Sequence, residues 1–208
     1  TLAIMAGTRA RNPQLGYATD FVDITLRDIL PDVARLGTRI ISNAGGLHPQ
    51  ACAAAAQALA TELGLTIRIA VVLGDDVMPQ LDMLRRQGIT SMDDGLPLPS
   101  HVLTANAYLG AEPIRQALDA GAQMVITGRC VDSAVTLGVL MHAFDWRATD
   151  LDRLAQGSLA GHLIECGAQV TGGRCLVGEL QVRTGTIGTL QQDMGSLLVF
   201  PSPFQGEG

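Results

Sequence analysis

Apolar positions along this chain recur in a cycle of short apolar run, polar or glycine-containing turn, and segment with helical spacing. Thr38 to Ser42 (TRIIS) reads as a buried strand, Asn43 to Gly46 (NAGG) as a tight turn, and Pro49 to Leu63 as an alanine-rich helix with proline in its first turn. Gly64 stands where a helix commonly ends in a left-handed residue. Thr66 to Leu73 (TIRIAVVL) predicts a second strand, closed by Gly74, Asp75 and Asp76 and followed by a helix over Met78 to Gln87. A Pro/Gly-rich loop occupies Ser91 to Ser100, and Val102 to Ala107 reads as a short strand or an irregular segment. Glu112 to Ala120 then predicts a helix, Met124 to Thr127 (MVIT) a third strand, and the turn Gly128 to Ser133 leads into an apolar helix reaching Phe144.

Two short amphipathic helices are predicted next, Leu151 to Ala155 and Leu159 to Gln169. Beyond Gly173 the pattern changes: Arg174 to Gly208 is rich in Gly, Thr and Gln, lacks a helical period, and ends in PSPFQGEG, a composition expected to be poorly packed or disordered. Val182 to Leu190 is read at most as a loose hairpin. Alternating strands and helices with short turns imply a layered α/β fold, a mostly parallel, Rossmann-like sheet of βα units with right-handed crossovers, here incomplete.

Composition narrows the possible chemistry. At 208 residues and 47% hydrophobic, the chain is expected to build one core, and with aromatics at 3% that core is aliphatic. All 14 positive charges are arginine, so a Walker-type phosphate lysine and a Schiff-base lysine are excluded for these residues. The net charge of −6, with no basic run, gives no footprint for nucleic acid. Cys52, Cys130, Cys166 and Cys175 show no C-x-x-C spacing, which fits free thiols in a reducing compartment. No segment is apolar for long enough to span a bilayer, and Thr1 to Gly7 does not resemble a signal peptide, so a cytoplasmic location is expected.

In a parallel sheet, strand C-termini and the following helix N-termini converge on one edge, where ligands meet free N–H groups. The turn Asn43, Gly45 and Gly46 can let backbone approach an anion, or be a tight turn only. At the second strand end, Asp75 is assigned to a pocket, where it can hold a cation, a diol or an amine, and Asp76 to capping the next helix. Thr127, Gly128, Arg129, Cys130, Asp132 and Ser133 form the densest polar turn. Arg129 there either forks onto a carboxylate or phosphate, or pairs with Asp132 while Asp132 or Ser133 caps the helix. Losing Arg129 from such a pair costs roughly 3–5 kcal/mol if the pair is buried. On the last helix, His162, Glu165 and Cys166 share a face, giving an acid/base pair or part of a metal site. His142, within an apolar helix, is read as a core residue.

The strings GYATDF (16 to 21), ISNAGGLHPQACAAA (41 to 55), VVLGDDV (71 to 77), TANAYLGAEPIRQAL (104 to 118), VITGRCVDSAVTLG (125 to 138) and LAGHLIECGAQVTGG (159 to 173) carry a resemblance to a known family. Over residues 1 to 173 the chain resembles the acyclic terpene utilisation protein family, A type, of bacterial citronellol and geraniol degradation. The resemblance implies a further strand and glycine-rich segment before Thr1, and a continuation after Gly173 unlike RCLVGELQ. The chain is therefore expected to be truncated at its start, with residues 174 to 208 outside the family domain, as a shifted reading frame would produce.

The function implied is catabolism of acyclic terpenoids or related branched acyl-CoA compounds. The substrate is expected to be a small molecule, an acyl-CoA among the candidates, without nucleic-acid or membrane partners and compatible with a homo-oligomer; no cofactor and no metal are assigned. The leading expectation is an acid/base enzyme with His162, Glu165 and Asp132 as catalytic candidates. Asn43, Gly45, Gly46, Asp75, Thr127, Gly128, Arg129 and Ser133 are the substrate-binding candidates. The alternatives are a non-catalytic acyl-CoA binding or assembly subunit, and a metal-dependent lyase or hydratase using Asp75, Asp132 and His162.

Overall fold

A computed structural model describes residues 2–167 and the backbone of residues 197–200. Helix α1 (Leu2–Arg11) is followed by a π-helical turn, Phe21–Leu26, that runs directly into α2 (Arg27–Leu36). Strand β1 (Arg39–Gly46) leads to α3 (Pro49–Glu62), β2 (Ile69–Val72) to a 3-10 turn and α4 (Leu81–Arg86), and α5 (Glu112–Asp119) to β3 (Met124–Gly128). Helices α6 (Ala134–Ala143) and α7 (Leu151–Cys166) follow, and β4 (Leu197–Phe200) completes the sheet. Strand order is β2-β3-β1-β4. The three strands β1, β2 and β3 are parallel, an incomplete layered α/β sheet as expected, and β4 is antiparallel to β1.

Alternation along the strands builds a core on each face of the sheet. Ile40, Met124 and Ile126 point to one face, where Leu30 of α2 and Cys52, Ala56 and Leu59 of α3 cover them. Ile41, Val72 and Val125 point to the other, covered by Ile114 and Leu118 of α5 and Val135 and Val139 of α6. Alanines on α3 bring that helix close to the sheet, which compensates for the scarcity of large aromatics.

Several local expectations are corrected. Residues Asn43 to Gly46 are not a free turn but the end of β1, which continues until Gly46 pairs with Gly128. A Cβ on Gly45 would lie 2.5 Å from the Thr127 carbonyl oxygen and 2.6 Å from Pro49 Cβ, so glycine is required there for β1, β3 and α3 to converge. Strand β2 is shorter than Thr66 to Leu73, and Met78 to Gln87 divides into a 3-10 turn, Met78–Gln80, and α4. Val102 to Ala107 forms no strand; it is irregular and laced to residues 75–77, with Val77 N–H donating to the Ala105 carbonyl and Ala107 N–H to the Asp75 carbonyl.

The two helices expected after Leu151 are one, because Gly157 is a contact point and not a break: its α-carbon faces Leu137 and Trp146. His142 is not simply core: its ring bridges Arg39, at 2.6 Å, and Asp119, at 2.6 Å, across the edge of the sheet opposite the strand C-termini. Strand Leu197–Phe200 lies in a stretch for which no regular element was expected. The hairpin suggested at Val182 to Leu190, and Cys175, lie outside the described residues. Among the described residues no helix is long and apolar enough to cross a membrane.

Candidate functional site

Chain direction at the sheet decides where a ligand can sit. After β1 the chain turns to the face carrying α3, whereas after β3 it turns to the opposite face, toward α6. Neighbouring parallel strands whose exits diverge leave a crevice beyond their C-terminal ends, the usual ligand position in open α/β sheets. Asn43, Gly45, Gly46, Asp75, Thr127, Gly128 and Arg129 are all brought to this edge by the parallel arrangement of their strands.

Asp75 is the anchor of that edge. It is 3% exposed, and its Oδ2 accepts the Arg129 backbone N–H at 2.8 Å and the Asn106 side-chain amide at 3.0 Å. Asn106 is oriented in turn by the Thr104 hydroxyl, which donates to its Oδ1 at 2.6 Å. Gly128 makes the approach possible, since a Cβ there would sit 2.5 Å from the Asp75 carboxylate oxygens. Asp76 accepts the Met78 N–H at 2.9 Å, fastening the turn that opens the 3-10 segment, but Val77 takes the N-cap position, so Asp76 is not the helix cap expected of it. A cleft of about 510 Å³ opens beside these residues, lined by Arg9, His48, Gln50, Asp75 and Asp76 with Leu47 and Leu73.

The turn after β3 carries the second group. Arg129 pairs with Asp132 at 3.1 Å and lies over the Tyr108 ring, its carbon Cζ 4.3 Å from the ring centre. Its Nε is buried and makes no hydrogen bond among the described residues. The expected ion pair therefore forms, but Ser133, at the N-cap of α6, makes no side-chain cap. Ser133 is instead where α7 docks: a Cβ on Gly161 would lie 2.8 Å from the Ser133 carbonyl oxygen. This close approach brings Glu165 of α7 within electrostatic range of Asp132 and Arg129. Burial, and then the negative charge of Asp132, push the Glu165 carboxyl above the usual glutamate range, against the opposing pull of Arg129 and His162.

His162 is exposed and contacts Cys166, its Nε2 3.5 Å from Sγ. Thr127 is fully buried and its hydroxyl donates to the Gly128 carbonyl at 2.9 Å, so it serves the turn itself. Gly45 and Gly46 likewise serve backbone packing; Gly46 adopts φ +51°, and a Cβ there would collide with Met5. Cys130 is buried, which raises its thiol, and Cys52 is pushed up to about 12 by burial, so neither is a ready nucleophile. Among the described residues no three His, Cys, Asp or Glu side chains are grouped to hold a metal ion.

Asn106, Tyr108, Arg9 and His48 were not singled out from the sequence. The only signal was their polarity: Asn106 and Tyr108 lie in TANAYLG, whose irregular backbone hides any period. No curated protein and no solved structure matches the chain. The family match extends past Gly173, where the likeness of individual strings ends, to residue 186. With residues 1–186 matched, the chain belongs to the acyclic terpene utilisation family of AtuA proteins, a family named for the use of acyclic terpenes.

Proposed function

We propose that the chain is an acid/base enzyme of acyclic terpenoid catabolism acting on a carboxylate- or CoA-linked branched intermediate. The observation that supports this reading is the docking of Gly161 on Ser133, which brings Glu165, its carboxyl raised by burial, within electrostatic range of the Arg129 and Asp132 pair. Arg129 spends one N–H on Asp132 and has further guanidinium N–H groups for an anionic group. Glu165 is the general acid or base, because a carboxyl raised by burial retains its proton nearer neutral pH. His162 lies one helical turn before it and is exposed to solvent.

Incubation with saturated and α,β-unsaturated branched acyl-CoA esters, followed by mass analysis of products, tests the reading. Glu165→Gln is expected to lower turnover by about 100-fold while retaining affinity, the usual scale for removing a general acid or base. Arg129→Gln is expected to weaken binding first. Tight binding of these esters with no product would make the chain a binding subunit and overturn the catalytic reading.

A further inference from the structure

We propose that the cleft between α1 and the ends of β1 and β2 binds a small hydroxy acid, Asp75 accepting the hydroxyl and Arg9 pairing with the carboxylate. Asp75 is almost wholly buried, and both hydrogen bonds of its carboxylate fall on Oδ2; Oδ1 accepts none among the described residues. Oδ1 is not one of the buried unpartnered atoms, so it stays accessible from the cleft that Asp75 lines, where a ligand hydroxyl can donate to it without a charge to desolvate. At the other wall, Arg9 is held by a 2.6 Å bond from one nitrogen to the Leu47 carbonyl, with its stem packed against Gly16. Arg9 also lines the cleft, where a carboxylate can take guanidinium N–H groups in pairs. His48 also lines the cleft, and its buried Nδ1 has no partner among the described residues.

The cleft's volume of about 510 Å³ accommodates a short acid rather than a whole acyl-CoA. The assignment therefore names a ligand class for a site next to the Arg129 turn. It rests on the reading above only in taking small acids as the chain's substrates.

Amide NMR shifts of the full chain, titrated with 3-hydroxybutyrate, butyrate or 1,3-butanediol, test it. The hydroxy acid is expected to move Arg9, His48, Gln50 and Gly74 to Asp76 with saturation, and each analogue lacking one group to bind about tenfold more weakly, the effect of one lost hydrogen bond to a charged partner. Arg9→Gln should abolish the advantage over the diol while leaving amides of the sheet in place. Asp75→Asn should abolish the advantage over butyrate, and if that variant fails to fold, the ligand series alone decides. Equal shifts with all three compounds, no shifts, or shifts confined to residues 129 to 133 and α7 would each overturn the proposal. Since Glu165 turnover is measured independently, failure here leaves the acid/base reading standing, and the reverse also holds.

Discussion

Arg129 shows how one residue can appear both as a site and as a structural tie. Its pair with Asp132 is only partly buried, with side chains 28% and 46% exposed, so the large penalty expected for a buried pair does not apply. Arg129→Ala is expected to cost about 1–2 kcal/mol, combining a half-exposed ion pair with loss of the Tyr108 contact, a fall of roughly 3–6 °C in melting temperature. Gly128→Ala should cost more, about 2–3 kcal/mol, because its new methyl meets a buried carboxylate held by two donors. Thermal melts of the two variants side by side check this ranking. A larger loss for Arg129→Ala would mean that the pair is structural after all.

At the scale of elements, the contact of α7 with the start of α6 is made at one glycine. Gly161→Ala would push against the Ser133 backbone, whereas Gly157→Ala meets side-chain atoms only, the Leu137 methyl end and the indole edge of Trp146. Chemical denaturation is expected to show Gly161→Ala as the more damaging by about 1 kcal/mol or more. The same contact carries a pH signature. The folded Glu165 carboxyl titrates above its unfolded value of 4.5, so its contribution to stability is fully present below that pH and is lost as pH rises through the folded value. Glu165→Gln should therefore gain stability relative to the parent as pH climbs from 4.5 toward neutrality. A constant difference across that range would show that burial of this carboxyl has been misjudged.

For the whole molecule, β1 and β3 contribute side chains to both cores, so the two faces are expected to unfold together. Trp146, the only tryptophan, packs against the α5 and α6 core, and Cys52 is fully buried under α3. Tryptophan fluorescence and the rate of Cys52 modification should then trace one urea transition. Separated midpoints would show that each face is a unit of its own. Binding at the cleft should raise that common transition, by about 2.7 kcal/mol at a ligand concentration 100 times its dissociation constant.

The βα cycle, the parallel sheet and the set of turns at one edge were legible in the sequence, because strand and helix periods and glycine stops are local signals. So was the family, through long ordered strings such as VITGRCVDSAVTLG and LAGHLIECGAQVTGG. Tertiary structure alone decided what those turns do. Asn43 to Gly46 became strand since β3 offers Gly128 as a partner, and Gly157 became a helix contact since Trp146 fills the space beside it. Glu165 came within electrostatic range of Asp132, 33 positions away in sequence, because α7 packs on α6. Asn106 and Arg9 entered the edge from an irregular segment and a terminal helix with no period that marks them. Such meetings depend on how helices and loops pack over the sheet, and packing joins residues whose neighbours in the chain say nothing of one another.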